Sequence, residues 1–197
     1  MRNNEQGRSM IEMLGVLAIV GVLSVGGIAG YSKAMNKFKT NKLIDQVNMI
    51  TTNVRTLYSS QRTYNGLNNK LATQVGLIPA EMFEGTSNSE VTHVFGGTLT
   101  LDTANSDSWY YIEVEDVPSS ACLSIVTTDW GGDSGSGLVG MYVGDTAGSI
   151  ASASAPSSFD EDGTGGLYAP SALPMSIADS NTSCGTNGMR VIGWMFM

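Results

Sequence analysis

The stretch that decides the fold is residues 13–32, MLGVLAIVGVLSVGGIAGYS, twenty positions without a charged side chain. At about 1.5 Å per residue, a helix of that length reaches about 30 Å, the thickness of a bilayer's hydrocarbon core. Ahead of it lies a short polar segment, residues 1–7 (MRNNEQG), and Glu12 stands at the lip of the apolar run. A conventional secretory signal is cut behind its apolar region, whereas this polar leader ends in Gly7, in front of it. At the centre of a span a carboxylate costs roughly 2.5–3.5 kcal/mol on insertion scales, and even at its edge Glu12 calls for a partner or a purpose. Five glycines, Gly15, Gly21, Gly26, Gly27 and Gly30, interrupt the run. Each costs up to about 1 kcal/mol against alanine in a water-exposed helix, whereas in membranes small residues let helices approach closely. Segment 21–30 is expected to pack tightly against other helices or to unwind in part.

Beyond the apolar run the pattern changes. Leu43, Val47, Ile50, Val54 and Leu57 recur at spacings of four and three, one apolar stripe on an amphipathic helix. No proline precedes Pro79, so one helix can run from about Ser9 to Ser59, with Gly66 marking its end. The stripe is expected to dock on a sheet. Residues 60–79 read as a loop, a short helix and a turn. Val91–Leu101, Trp109–Val114, Leu138–Val143 and Met189–Met197 read as strands, and Cys122–Thr128 as a strand or a buried helix. Residues 144–186 are low in complexity and expected to be mostly loop. The fold class is α+β: a long N-terminal α-helix packed on an antiparallel β-sheet head.

Charge is distributed unevenly along the chain. Nine of the ten Lys and Arg residues lie in the first 70 positions, while fifteen of the eighteen acids lie in residues 71–197. An acidic head is a poor ligand for nucleic acid, which needs cations to displace counterions from phosphates. It keeps a secreted surface soluble. The lysines that follow the span, Lys33, Lys37, Lys39 and Lys42, outnumber Arg2 and Arg8 before it. Charge bias alone therefore places the C-terminal side in the cytoplasm. The leader and the cysteine pair, Cys122 and Cys184, favour an exported head instead. In an exported head a disulfide is the default, and in a cytosolic one the two would be buried thiols.

Gly7-Arg8-Ser9-Met10-Ile11-Glu12-Met13-Leu14, a glycine, four residues, a glutamate and a long apolar helix, resembles the leader signature of the type IV pilins. That resemblance implies cleavage after Gly7 by a prepilin peptidase, with Arg8 as the mature, N-methylated terminus. It also implies that Glu12 guides docking into a growing filament. The family usually places an apolar residue where Arg8 stands. Glu12 can neutralise the N-terminal ammonium of a neighbouring subunit, or pair with Arg8 four residues away on its own helix. Farther on, Tyr64–Gly66, Gly96–Gly97 and Val117–Pro118 before Cys122 resemble the head of type IVb pilins of the PilS kind. The resemblance implies that Cys122 and Cys184 are joined, closing the head with one disulfide.

The domains implied are a leader (1–7), a hydrophobic transmembrane and assembly helix (8–32), its amphipathic half (33–60) and a globular head (61–197). The function implied is a structural subunit of an extracellular filament with an adhesion-related role. The precursor would sit in the inner membrane, and its partners would be copies of itself, the peptidase and the pilus assembly machinery. The competing readings are a minor pilin or a type II secretion pseudopilin, and, from a different class, a membrane-anchored binding protein or enzyme with an uncut span.

Other chemistry is discounted. Residues 132–137, GDSGSG, resemble a serine-protease nucleophile segment, but the single histidine, His93, lies in an apparent strand. Asp160-Glu161-Asp162-Gly163 and Asp129…Asp133 offer oxygen ligands without the spacing of a calcium loop, so no metal and no cofactor is expected. Trp109, Tyr110, Tyr111, Trp130, Tyr142 and Trp194 read as core, with a sugar-binding face as the alternative.

Overall fold

The computed structural model describes residues 5–84, 90–131 and 136–197, with side chains for all of these except residues 5–9 and 164. It divides into two compact units, residues 1–38 and 39–197. One helix, α1 (Glu5–Tyr58), contributes to both.

In the first unit α1 is unbroken through all five glycines, and every described side chain from Met10 to Ala34 is exposed. In the second unit the same helix buries Leu43, Val47, Ile50 and Val54 completely. The expected fifth member of the stripe is displaced by one residue. Leu57 is 43% exposed, and Tyr58, at 7%, takes the inward position. Four residues beyond Val54 the tyrosine ring finds a partner in Tyr64, at 5.3 Å between centroids, and its hydroxyl donates to the Asn65 carbonyl. The short helix expected after α1 is α2 (Asn69–Gln74), capped by the Asn68 side chain, which accepts from the Leu71 N–H.

The sheet has five strands: β1 (Leu99–Ala104), β2 (Trp109–Pro118), β3 (Leu138–Gly144), β4 (Leu167–Tyr168) and β5 (Met189–Phe196). Their order is β1-β2-β5-β3-β4, and all neighbours are antiparallel. The last strand in the chain therefore lies at the centre. The expected strand at 91–101 is shorter than its sequence suggested. A turn at 94–97 intervenes, and only the end of the segment joins the sheet, as β1. Of residues 122–128, open between strand and helix, the first five are helical, in α3 (Ser119–Val126), and Thr127 caps it.

Both faces of the sheet are covered, which explains the continuous apolar runs in β2 and β5. One face, carrying Tyr110, Ile112, Val114, Ile192, Trp194 and Phe196, packs on α1 and α3. The other, carrying Trp109, Tyr111, Val139, Tyr142, Val191 and Met195, lies under Ile150, Ala153 and Phe159. The region expected to be mostly loop is thus an ordered cover. Single 3-10 turns and β4 build it, and the rest of the region holds a further helix, α4 (Ile177–Cys184), whose Cys184 belongs to the first core. Two glycines make the cover's seat: a Cβ at Gly140 would meet the Phe159 ring at 2.2 Å, and one at Gly193 would meet Ile150 at 2.9 Å.

Candidate functional site

Two features stand out from the fold: an uncovered apolar helix and a head fastened shut. In the helix, exposure of the large apolar side chains runs from 52% at Val20 to 75% at Val22. Its polar hydroxyls are turned onto their own backbone. Ser24 donates to the Val20 carbonyl at 2.7 Å and Ser32 to the Ile28 carbonyl at 3.0 Å, leaving little polarity to repel hydrocarbon. A Cβ added at Gly15, Gly21, Gly26, Gly27 or Gly30 would meet nothing within 4 Å. Among the described residues no contact requires those glycines. Their small size has a use only where another helix approaches. Gly7 and Arg8 lie in the first turns of α1, and Glu12, exposed, follows at the edge of the apolar run.

The head is fastened at the end of its sheet. Cys122 in α3 and Cys184 in α4 form a disulfide with Cα atoms 5.8 Å apart, both fully buried. Closing a loop of 62 residues stabilises the fold by about 4 kcal/mol in the chain-entropy model. A second fastening was not legible in the sequence. Arg190, at the start of β5, donates from Nε to the Cys184 carbonyl at 2.7 Å and pairs with Asp145 after β3. On the covered face, buried Glu113 accepts from the Gly148 N–H at 2.8 Å, and burial pushes its carboxyl upward. Being the only cation after residue 70, Arg190 carried a faint sequence signal; Glu113, inside an apolar strand, carried another.

Among the described residues, the groups discounted from sequence are placed as follows. His93 is 4% exposed, and both its nitrogens are engaged. Nε2 donates to the Glu115 carbonyl at 2.7 Å, and Nδ1 accepts from the Phe95 N–H at 3.2 Å. Such a ring has no nitrogen left to serve as a base, and residues 132–135 lie outside the described residues. The six aromatics weighed for a sugar-binding face are all buried, in the two cores. That alternative is overturned, because sheet coverage on both sides leaves no aromatic platform. Glu161, Asp162 and Asp179 line a pocket of about 300 Å³ with Tyr168 and Ser183. Among the described residues no group of three His, Cys, Asp or Glu side chains is placed to hold a metal ion; Asp133 is outside them.

Fold and surface together define a class: a disulfide-closed α+β head carried on a helix whose other half is apolar, span-length and bare. Within that class, the chain belongs to the PilS family of type IVb pilins; the family described as PilS N terminal matches residues 37–194. Two Escherichia coli relatives, from O127:H6 (strain E2348/69 / EPEC) and O111:H-, are each named major structural subunit of bundle-forming pilus. Each is 30% identical over 129 residues, covering 64% of this chain, and the chain spans 66% of the relative's length. The crystal structure of TcpA, a type IV pilin from Vibrio cholerae El Tor biotype, is similar over 83% of this chain and 99% of that one. Its identity is 14% and its TM-score 0.49, too distant to carry an argument. The family match begins after the apolar run, so the leader and Glu12 rest on their own motif.

Proposed function

We propose that this chain is the structural subunit of a type IVb pilus, assembled into an extracellular filament through the apolar half of α1. The observation that carries the reading is the bare face itself. Every described side chain from Met10 to Ala34 is exposed, a surface that cannot remain in water and needs lipid or identical helices around it. The intra-chain redundancy of the five glycines favours helices as the final cover. The names of the two E. coli relatives point the same way.

In this reading residues 1–7 are a leader removed after Gly7 by the prepilin peptidase, and Arg8 becomes the N-methylated terminus. Residues 8–32 hold the precursor in the inner membrane and then bundle in the filament. Residues 33–60 are the amphipathic half of the helix, and 61–197 form the outer head. Glu12 supplies the negative charge that a neighbour's terminal ammonium requires once both are out of water. The pilus assembly machinery moves the chain from membrane to filament, and the head, closed by Cys122–Cys184, meets the surroundings at the cell surface.

Mass spectrometry of the N-terminus in a sheared extracellular fraction tests this. A methylated peptide beginning at Arg8, from an abundant species, is the expected result. A chain that still begins at Met1, or one absent from filaments, would contradict it. Trace recovery with correct processing would assign a minor subunit instead.

A further inference from the structure

At the end of the apolar run and just past it, the first unit carries Tyr31, Lys33, Lys37 and Phe38, all exposed. Among the described residues no carboxylate pairs with Lys33 or Lys37, and the sequence has no acid between Glu12 and Asp45. The next two lysines differ. The Lys39 ammonium sits 5.8 Å from the Phe95 ring centre, and Lys42 Nζ lies 3.1 Å from Glu81. Partners are thus found for Lys39 and Lys42, and among the described residues none for Lys33 and Lys37.

Helical spacing arranges the four side chains as a collar. Lys33 and Lys37, four apart, share one side of α1; Tyr31 and Phe38, seven apart, share another. Lys33 to Lys37 spans about 6 Å along the axis, close to the roughly 5–7 Å of headgroup on each side of a bilayer. With residues 13–32 filling the hydrocarbon, Tyr31 reaches the boundary and the lysines reach the phosphate level. Amphipathic aromatic rings favour that boundary, and lysine stems extend along hydrocarbon to place their ammonium in the polar layer.

We propose that Lys33 and Lys37, flanked by Tyr31 and Phe38, form a binding collar for anionic phospholipid headgroups at the C-terminal end of the span. The inference rests on the reading of residues 13–32 as a membrane span before assembly. It gives a use to the unpaired lysines, whose placement runs against the usual charge bias for an exported head. The occupant is lipid because positive charge without any nearby acid, ringed by aromatics at the end of an apolar run, complements a layer of phosphates. Two lysines on one side also suit a single headgroup and its neighbour.

The test uses the full chain reconstituted in vesicles of phosphatidylethanolamine and phosphatidylglycerol, with a photo-crosslinking residue at Ala34, beside the lysine ridge. Cross-linked lipid is identified by mass. The wild-type collar is expected to capture phosphatidylglycerol above its bulk proportion, with up to about fivefold of that enrichment lost for each lysine removed. K33Q/K37Q should return the ratio to bulk, and K33R/K37R should keep it. Capture at the bulk ratio in the wild type, or enrichment that survives K33Q/K37Q, would overturn the proposal, as would cross-linking to a second copy in place of lipid. Flotation after an alkaline wash separates the two levels. A chain that does not float with the vesicles defeats the membrane reading and the collar with it; a floating chain without lipid preference defeats only the collar.

Discussion

The two halves of α1 share one backbone and differ in everything else. Residues 10–34 expose every described side chain, while residues 43–58 bury one face at each turn. The difference lies in sequence period. The first half is apolar all round, which suits a solvent that is apolar all round. The second half has a stripe about 100° wide, which suits a single sheet. One element therefore serves two environments, and the stability of the head is expected to be independent of the surface that assembles.

Several substitutions would break that comparison. The largest effect is expected from Val22→Asp: a carboxylate in the centre of the apolar half should abolish filaments while leaving the melting temperature of a detergent-solubilised head unchanged. A lowered melting temperature would show that the halves are coupled. Next, C122S/C184S should cost the head about 4 kcal/mol in denaturant unfolding, the loop-closure contribution of the disulfide. In the buried half, Ile50→Ala should cost about 2–5 kcal/mol, whereas Leu57→Ala should stay within about 0.5 kcal/mol. Equal costs would return Leu57 to the stripe and displace Tyr58.

The smallest effect is a pH dependence confined to the head. Burial holds the His93 imidazole below its ordinary value, partly offset by its bond to the Glu115 carbonyl and by the nearby Asp116 carboxylate. The unfolded chain then binds this proton first. As pH falls through about 6.5 toward the lowered folded value, the head loses stability, and above that window His93 contributes no slope. Protonation would also set Nδ1–H against the Phe95 N–H that it now accepts. Glu113, raised by burial, works with the opposite sign, binding its proton first in the folded state and gaining stability as pH falls toward its unfolded value. The His93→Gln difference isolates the histidine. A slope unchanged by that substitution would assign the dependence elsewhere.

The comparison also explains what could be read from sequence. Uniform apolarity over residues 13–32 and the four-three spacing from Leu43 to Val54 are local patterns, and both were legible. So were β2, β3 and β5, from their apolar runs. The turn within 91–101 was not, because His93 and Gly97 act through a long-range partner, the Glu115 carbonyl in the irregular stretch of β2. A Cβ at Gly97 would lie 2.1 Å from that oxygen. Helix α4 had a cue in Ser176 and Asp179, where the serine accepts from the Asp179 N–H, but it was masked by the small polar residues around it. The ordered cover at 145–169 was hidden for the same reason. Its order comes from Phe159 settling over Gly140 of the preceding strand and Ile150 over Gly193 of the last one. Of the site, the bare helix was legible in full. The Arg190 fastening was not, since its partners, Cys184 and Asp145, are brought to it only by the sheet.

Shielding of the apolar half tests the account most directly. With cysteine in place of Leu23, intact sheared filaments can be treated with a small apolar thiol reagent that partitions into micelles, before and after dissolution in detergent. No labelling is expected in the filament and full labelling once it is dissolved, because neighbouring helices cover a residue that the single chain leaves bare. Labelling of intact filaments at the rate of the dissolved chain would contradict it.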